Sequence, residues 1–277
     1  MAGRRRALCV GINKFKNFPE NNLNGCVNDA RDMASILQGF FGFRKADIAL
    51  LLDSQATKTN ILRGLKALVD SAVKGQLTHL VFSLSSHGTQ VPDLSGDEPD
   101  RADEAFCPHD LATKGEQWDP ARIIIDDEFR DLFSRVPRDV VLEVFLDTCH
   151  SGTGLKVIDL LPGRRPRYIP PPSPAAFRAV EGLKMKGAAA SVVDAGRPEN
   201  ILWAACKPDQ TSADARIEGG WHGAFTWFLC KTIRASGSDL ARDAILKRVR
   251  QDLKSGEYTQ SPQLECKAAL RKKPLLA

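Results

Sequence analysis

The chain has 277 residues, 43% apolar and 26% charged, enough to bury one large core, and no run approaches the ~20 apolar residues of a membrane-spanning helix. The net charge of +5 is spread over Arg4-Arg5-Arg6, Gly163-Arg164-Arg165-Pro166-Arg167 and Leu270-Arg271-Lys272-Lys273, in loops and tails without interleaved aromatic residues, which argues against a dedicated nucleic-acid function. The seven cysteines are odd in number and lack a C-x-x-C spacing, which excludes a zinc ribbon and a disulfide framework and places the protein in a reducing compartment, read as the cytoplasm.

In chain order, Arg6 to Ile12 reads as a buried strand. With the basic triplet before it, this run imitates a signal peptide, yet it is short and lacks a small-residue cleavage pattern. Val27 to Phe40 follows with apolar residues at helical spacing, then a strand from Ile48 to Leu52 and a second helix from Lys58 to Ala72, begun by Thr57 as its cap. Leu80 to Leu84 is a third strand, ending in Ser85-Ser86-His87-Gly88. After an acidic loop come a helix from about Asp127 to Ser134 and a strand from Asp139 to Leu146, which ends in Asp147-Thr148-Cys149-His150. Ile201 to Cys206 is a further strand, Gly223 to Ala235 and Asp239 to Ser255 are two late helices, and Gln263 to Ala268 adds an edge strand. Alternation of strand and helix predicts an α/β fold whose central, mostly parallel sheet of about six strands is flanked by helices in three layers.

Two of these strands end in residues that make a nucleophile and its base. Ligands of open α/β sheets bind beyond the carboxyl ends of the strands, where His87 and Cys149 both fall. A free thiol near pKa 8.5 is mostly protonated at neutral pH, and an adjacent imidazole can take its proton and return one to a leaving amine. Gly88 lets backbone approach a substrate, and its N–H together with that of Cys149 forms a candidate oxyanion hole. Taken singly, a buried cysteine or histidine is ordinary packing; the complementary pair at two strand ends points to a cysteine peptidase.

Asn24-Gly25-Cys26-Val27-Asn28-Asp29-Ala30, Ser85-Ser86-His87-Gly88-Thr89-Gln90, Asp147-Thr148-Cys149-His150-Ser151-Gly152 and Gln210-Thr211-Ser212-Ala213-Asp214 together resemble the metacaspases, within the caspase-like peptidases. The four motifs occur in the right order over about residues 5 to 235, with no long N-terminal extension, as in a type I enzyme without its prodomain or a prokaryotic relative. The resemblance implies a caspase-like fold, a Cys149–His87 dyad and cleavage after arginine or lysine, in a chain expected to be a monomer acting on proteins or peptides. The Gln-Ala-Cys signature of caspases is absent, and the residue two before Cys149 is an acid.

Asp147 and Asp29 are carboxylates near that sheet edge, and paired acids suit a guanidinium, which they can hold by bidentate hydrogen bonds. The resemblance adds Cys26 and Ser85 as pocket wall. An aspartate side chain would be repelled. Asp93, Asp97, Glu98, Asp100, Asp103 and Glu104, with Asp126 and Asp127, are hard oxygen donors of the kind calcium takes. The resemblance implies calcium activation through Asp103, Asp126 and Asp127, although Lys156 stands where a further acid is expected and Asp159 follows three residues later. A solvated acidic loop with helix-capping acids is the alternative.

Residues 155–198 are rich in proline and arginine and read as an exposed linker, open to self-processing, between a large part of about residues 1–160 and a small part of about 199–277 of a single catalytic domain. Asp214, Trp203 and Trp221 are placed outside the primary site, with the tryptophans read as packing residues. An inactive interaction module of the same fold and a thiol hydrolase of small amides or esters are the competing functions.

Overall fold

The computed structural model describes residues 4–92, 101–149, 161–180, 184–185 and 192–277. Its strands are β1 (Arg5–Gly11), β2 (Ile48–Leu52), β3 (His79–Ser85), β4 (Gly88–Pro92), β5 (Arg101–Phe106), β6 (Thr113–Lys114), β7 (Gln117–Trp118), β8 (Ile124–Ile125), β9 (Val141–Asp147), β10 (Arg164–Pro166), β11 (Lys184–Met185), β12 (Asn200–Ala204), β13 (Ala213–Ile217), β14 (Gly220–Gly223) and β15 (Gln263–Glu265). The α-helices are α1 (Cys26–Phe40), α2 (Lys58–Val73), α3 (Asp126–Ser134), α4 (Pro174–Val180), α5 (Ala224–Ser236), α6 (Arg242–Ser255) and α7 (Ala268–Arg271).

A six-stranded sheet in the order β15-β12-β9-β3-β1-β2 forms the middle layer. The five pairings differ only at the edge, where β15 runs antiparallel to β12; the other four are parallel. Side chains alternate across it with the period of two that a strand imposes. Leu8, Val10, Leu80, Phe82, Leu142 and Val144 join one core with Ile61, Leu65 and Val69 of α2 and Phe129 and Phe133 of α3. Ala7, Cys9, Val81, Phe145, Ile201 and Trp203 join the other with Met33 and Leu37 of α1, Leu229 and Ile233 of α5 and Val249 and Leu253 of α6. Burial on both faces explains why these strands read as near-continuous apolar runs. No helix among the described residues is long and apolar enough to cross a membrane.

Three boundaries move for tertiary reasons. Asp139 and Val140 lie in a turn closed by Val140 N–H on Pro137 O (3.1 Å), so β9 starts at Val141 and includes Asp147. Ala241 is drawn into a bridge with Pro274, which delays α6 to Arg242. β12 ends at Ala204, with Ala205 N–H making the last bond to Leu146 O of β9 at 2.9 Å.

The composition of residues 155–198 predicts an exposed linker, and the described part of it corrects that expectation. Residues 161–180 contain β10 and α4, and Arg167, Ile169, Ala176 and Val180 are buried. The physical reason is that β10 adds to the hairpin of β13 and β14, pairing antiparallel with β13. That hairpin turns through Glu218 (φ 50°) and Gly219 (φ 91°), the two positive φ values of a tight type I′ turn. The remaining linker positions, 155–160, 181–183 and 186–191, lie outside the described residues.

Candidate active site

Gly11, Ser85 and Asp147 are register partners at the carboxyl ends of β1, β3 and β9. The chain order reverses between β1 and β3, so this edge is the switch point where an open sheet parts its loops into a crevice. His87 leaves β3 and Cys149 leaves β9 at this edge, both buried. His87 Nε2 sits 2.8 Å from the Asn21 carbonyl, a contact that needs the proton on Nε2, while Nδ1 is buried without a hydrogen-bond partner among the described residues. The ring packs on Phe15, centroids 5.2 Å apart, and burial lowers its pKa to about 4 against the opposing pull of Asn21. Cys149 Sγ lies at the Ser212 backbone, accepting from its N–H and reaching its carbonyl at 3.5 Å.

Arg167 brings these groups together. Its carbonyl oxygen accepts from Gly88 N–H (3.0 Å) and Cys149 N–H (3.3 Å), the two amides that the strand ends nominate as an oxyanion hole. Its own N–H donates to Ser212 O at 2.9 Å, continuing the β10–β13 pairing, and Ile169 N–H donates to Gly88 O at 3.0 Å on the other side. Its guanidinium enters a closed pocket of three carboxylates: Nη2 to Asp29 Oδ2 at 2.6 Å and to Asp214 Oδ1 at 3.1 Å, and Nη1 to Asp147 Oδ1 at 3.2 Å and to the Asp147 carbonyl at 3.0 Å.

The acids are themselves held. Asp29 accepts from Gly223 N–H (2.9 Å); Asp147 accepts from the Ser212 hydroxyl (2.6 Å) and from the Thr226 hydroxyl and N–H (2.7 and 3.1 Å). Asp214 accepts from Asn24 and Gly25 N–H, each at 2.9 Å. With three carboxylates around one cation, burial pushes Asp29 up to about 7, against the Arg167 guanidinium and with the Asp147 charge. Cys26 starts α1 against Gly11, where a Cβ would overlap its backbone, and burial raises its thiol well above the usual range. Ser85 donates no pocket hydrogen bond from its side chain among the described residues; its carbonyl accepts from Ile12 N–H at 3.0 Å.

The structure thus brings His87, Gly88, Cys149, Asp29 and Asp147 to one place, with Cys26 beside the acids and Ser85 the register partner of Asp147. Reasoning from sequence missed three participants. Asp214 belongs to the pocket, correcting its exclusion from the site, and Arg167 fills it, although its composition reads as solvated charge. The Asn21 carbonyl carries no side-chain signal at all. Trp203 is a core residue whose Nε1 donates to Glu143 Oε1 at 2.9 Å, and Trp221 lies on β14, its carbonyl accepting from Asn28 at 2.9 Å.

The proposed calcium acids are placed differently. Asp103 is buried on β5 opposite Val91, Asp126 opens α3 with Oδ1 accepting from Asp127 N–H at 3.0 Å, and Asp127 is paired with Arg130 one turn on. Among the described residues no three His, Cys, Asp or Glu side chains are grouped to hold a metal ion. Asp93, Asp97, Glu98, Asp100, Lys156 and Asp159 lie outside the described residues.

The caspase-domain profile matches residues 4–273. The chain belongs to the caspase-domain family of cysteine peptidases. Within that family it is metacaspase-like. Metacaspase-1A of Aspergillus niger is 31% identical over 95% of this chain and 70% of its own length, and Metacaspase-1 of Pyricularia oryzae is 31% identical over 95% of this chain and 72% of its own. The fold is also that of the protein GSU0716 of Geobacter sulfurreducens, with a TM-score of 0.67, 24% identity, and 98% and 97% of the two chains covered. Caspase-1 of Spodoptera frugiperda superposes with a TM-score of 0.58 at 12% identity, over 95% of this chain and 86% of that one.

Proposed function

We propose that this metacaspase-like chain is an endopeptidase that cuts after arginine or lysine, with Cys149 as nucleophile and His87 as base and then acid. The observation that carries the reading is Arg167, whose carbonyl oxygen rests on two amides while its side chain is held by three carboxylates. A carbonyl polarised beside a thiol is the ground state of acyl transfer, and the cation bound at the end of the same residue's side chain is what selects it.

The geometry supports these roles. The Asn21 carbonyl holds the proton on Nε2, so Nδ1 keeps the lone pair that accepts the thiol proton. Ser212 N–H on the sulfur favours the thiolate. Attack on the carbonyl carbon moves charge onto the oxygen, where Gly88 and Cys149 N–H already point; one such donor contributes about 10²–10³ in kcat. His87 then protonates the leaving amine, and water releases the acyl group. In the pocket, bidentate acids favour arginine, lysine can enter as a point charge, and an aspartate would face three like charges.

The test is hydrolysis of peptides with Arg, Lys or Asp before a fluorogenic leaving group, by the parent and by Cys149→Ala, each with EDTA or added calcium. The expected result is Cys149-dependent turnover of the Arg and Lys peptides alone. Preference for Asp, or turnover that survives Cys149→Ala, overturns the proposal. The EDTA arm decides separately whether calcium is needed.

A further inference from the structure

β9 and β12 run parallel as far as the register pair Leu146 and Ala204, so the chain leaves the sheet side by side in two places, once towards Thr148 and Cys149 and once towards Cys206. Neighbouring strands lie about 4.8 Å apart. Residues just beyond the last pair therefore stay within the ~4.4–6.8 Å between Cα atoms that a disulfide spans. The side chains meet accordingly: Cys206 Sγ lies 3.8 Å from the Thr148 carbonyl and 3.4 Å from the Gln210 carbonyl, and its thiol hydrogen-bonds to Cys149. That bond, with burial behind it, raises the Cys206 thiol well above the usual range and keeps it protonated as the donor to the Cys149 sulfur. Thr148 and Cys206 also line a cavity of about 20 Å³, rimmed by the exposed Lys207 and Pro208, which is room for one water. Of the other cysteines, Cys9 and Cys230 are packed in one core, Cys107 in the other, and Cys26 stands beside the acids. Peptide hydrolysis has no use for a second thiol at the nucleophile.

We infer that Cys149 and Cys206 form a peroxide-reactive pair, in which a hydroperoxide oxidises the nucleophile and Cys206 captures it as a reversible disulfide. The inference rests on the proposed peptidase reading for the activity that is switched off; the disulfide itself does not depend on it. The Cys149 thiolate attacks one oxygen of hydrogen peroxide, an S–O bond forms, the O–O bond breaks, and the departing oxygen leaves as water with the proton that the thiol gave up. The sulfur loses two electrons and the peroxide gains them. Cys206 then forms an S–S bond to the sulfenic sulfur, the S–O bond breaks, and the hydroxyl leaves with the Cys206 proton as a second water, which the adjoining cavity can take. A dithiol reductant returns both cysteines to thiols and becomes a disulfide itself. Without Cys206 the sulfenic acid passes on to the sulfinic acid, which a dithiol does not reduce. Cys206 thus shuts the enzyme off and keeps its nucleophile recoverable.

The experiment treats the reduced full-length protein, parent and Cys206→Ala, with hydrogen peroxide. It reads intact mass, peptides mapped without reduction, and Arg-peptide turnover before and after dithiothreitol, each protein against its own untreated rate. In the parent, the expected result is a mass lower by two hydrogens, a peptide linking Cys149 to Cys206, and turnover that falls at least about tenfold and returns with dithiothreitol. Cys206→Ala is expected to gain two oxygens on Cys149 and to stay inactive after dithiothreitol; circular dichroism checks that it folds. Recovery of Cys206→Ala as complete as that of the parent overturns the inference. So does a disulfide from Cys149 to Cys26 or Cys107, or a parent whose Cys149 stays reduced or passes straight to the sulfinic acid. A parent that hydrolyses Arg peptides but never shows the Cys149–Cys206 link loses this inference and keeps the peptidase reading, whereas the link in a protein that hydrolyses no peptide keeps the pair and removes that reading.

Discussion

His87 is buried beside an arginine, and that environment has a measurable consequence. Its pKa is lowered from 6.5 to about 4 chiefly by burial, so the folded protein binds fewer protons than the unfolded chain between those values. Stability from this group is therefore present above pH 6.5 and lost as pH falls through about 4, at up to about 1.4 kcal/mol per pH unit. Asp29 runs the other way: raised from 3.8 to about 7, its share is present below 3.8 and lost as pH rises through about 7. In the Cys149→Ala protein, urea midpoints between pH 4 and 6.5 are expected to rise more steeply with pH after Asp29→Asn and to flatten after His87→Gln. An imidazole titrating near 6.5 by NMR would contradict the burial argument.

Among the elements, α1 illustrates how a helix can be started from a distance. Gly25 offers no capping side chain, and Asp214, from β13, accepts from the N–H groups of Asn24 and Gly25 instead. By contrast Thr57 caps α2 locally, its hydroxyl accepting from Asn60 N–H at 3.3 Å, and that start is readable from four consecutive residues. The β14–α5 junction is as constrained. Gly223 donates to Asp29, and a Cβ there would overlap Asp147 Oδ2 and the Arg167 guanidinium. Gly223→Ala is expected to slow Arg-peptide turnover by about five- to 150-fold, since overpacking a filled pocket costs about 1–3 kcal/mol. Unchanged rates in a folded Gly223→Ala protein would mean that the pocket is looser than its contacts imply.

Over the whole molecule, the two halves of the sequence share one sheet, and a buried ion pair ties them on the face away from α2 and α3. Glu143 of β9 accepts from Arg242 Nε and Nη2, both at 2.9 Å, from Trp203 Nε1 at 2.9 Å and from Leu276 N–H at 3.1 Å. Removing one partner strands the other charge in the core. Arg242→Met in the Cys149→Ala background is expected to lower unfolding free energy by about 3–5 kcal/mol in urea, while the double change Arg242→Met with Glu143→Gln recovers part of it. A single-variant loss under about 1 kcal/mol would show that the pair is not the tie the contacts describe.

The order of strands and helices was legible because the inner strands of the sheet are buried on both faces and the long helices carry one apolar stripe, patterns that local spacing records. His87 and Cys149 were legible for a similar reason, as polar residues placed where apolar strands end. Asp214, Arg167 and the Asn21 carbonyl were not. Their roles come from contacts between segments far apart in the chain: Arg167 meets Asp29 from 138 residues away, and Asp214 meets Gly25 from 189. A proline- and arginine-rich run looks solvated when its composition is summed, because composition cannot say that three carboxylates and a strand edge stand ready to receive one of its arginines. The sequence by itself determined the layers and the two strand ends that carry His87 and Cys149; only the tertiary structure decided what fills the pocket, because charge burial is favourable only where its partners have already been assembled.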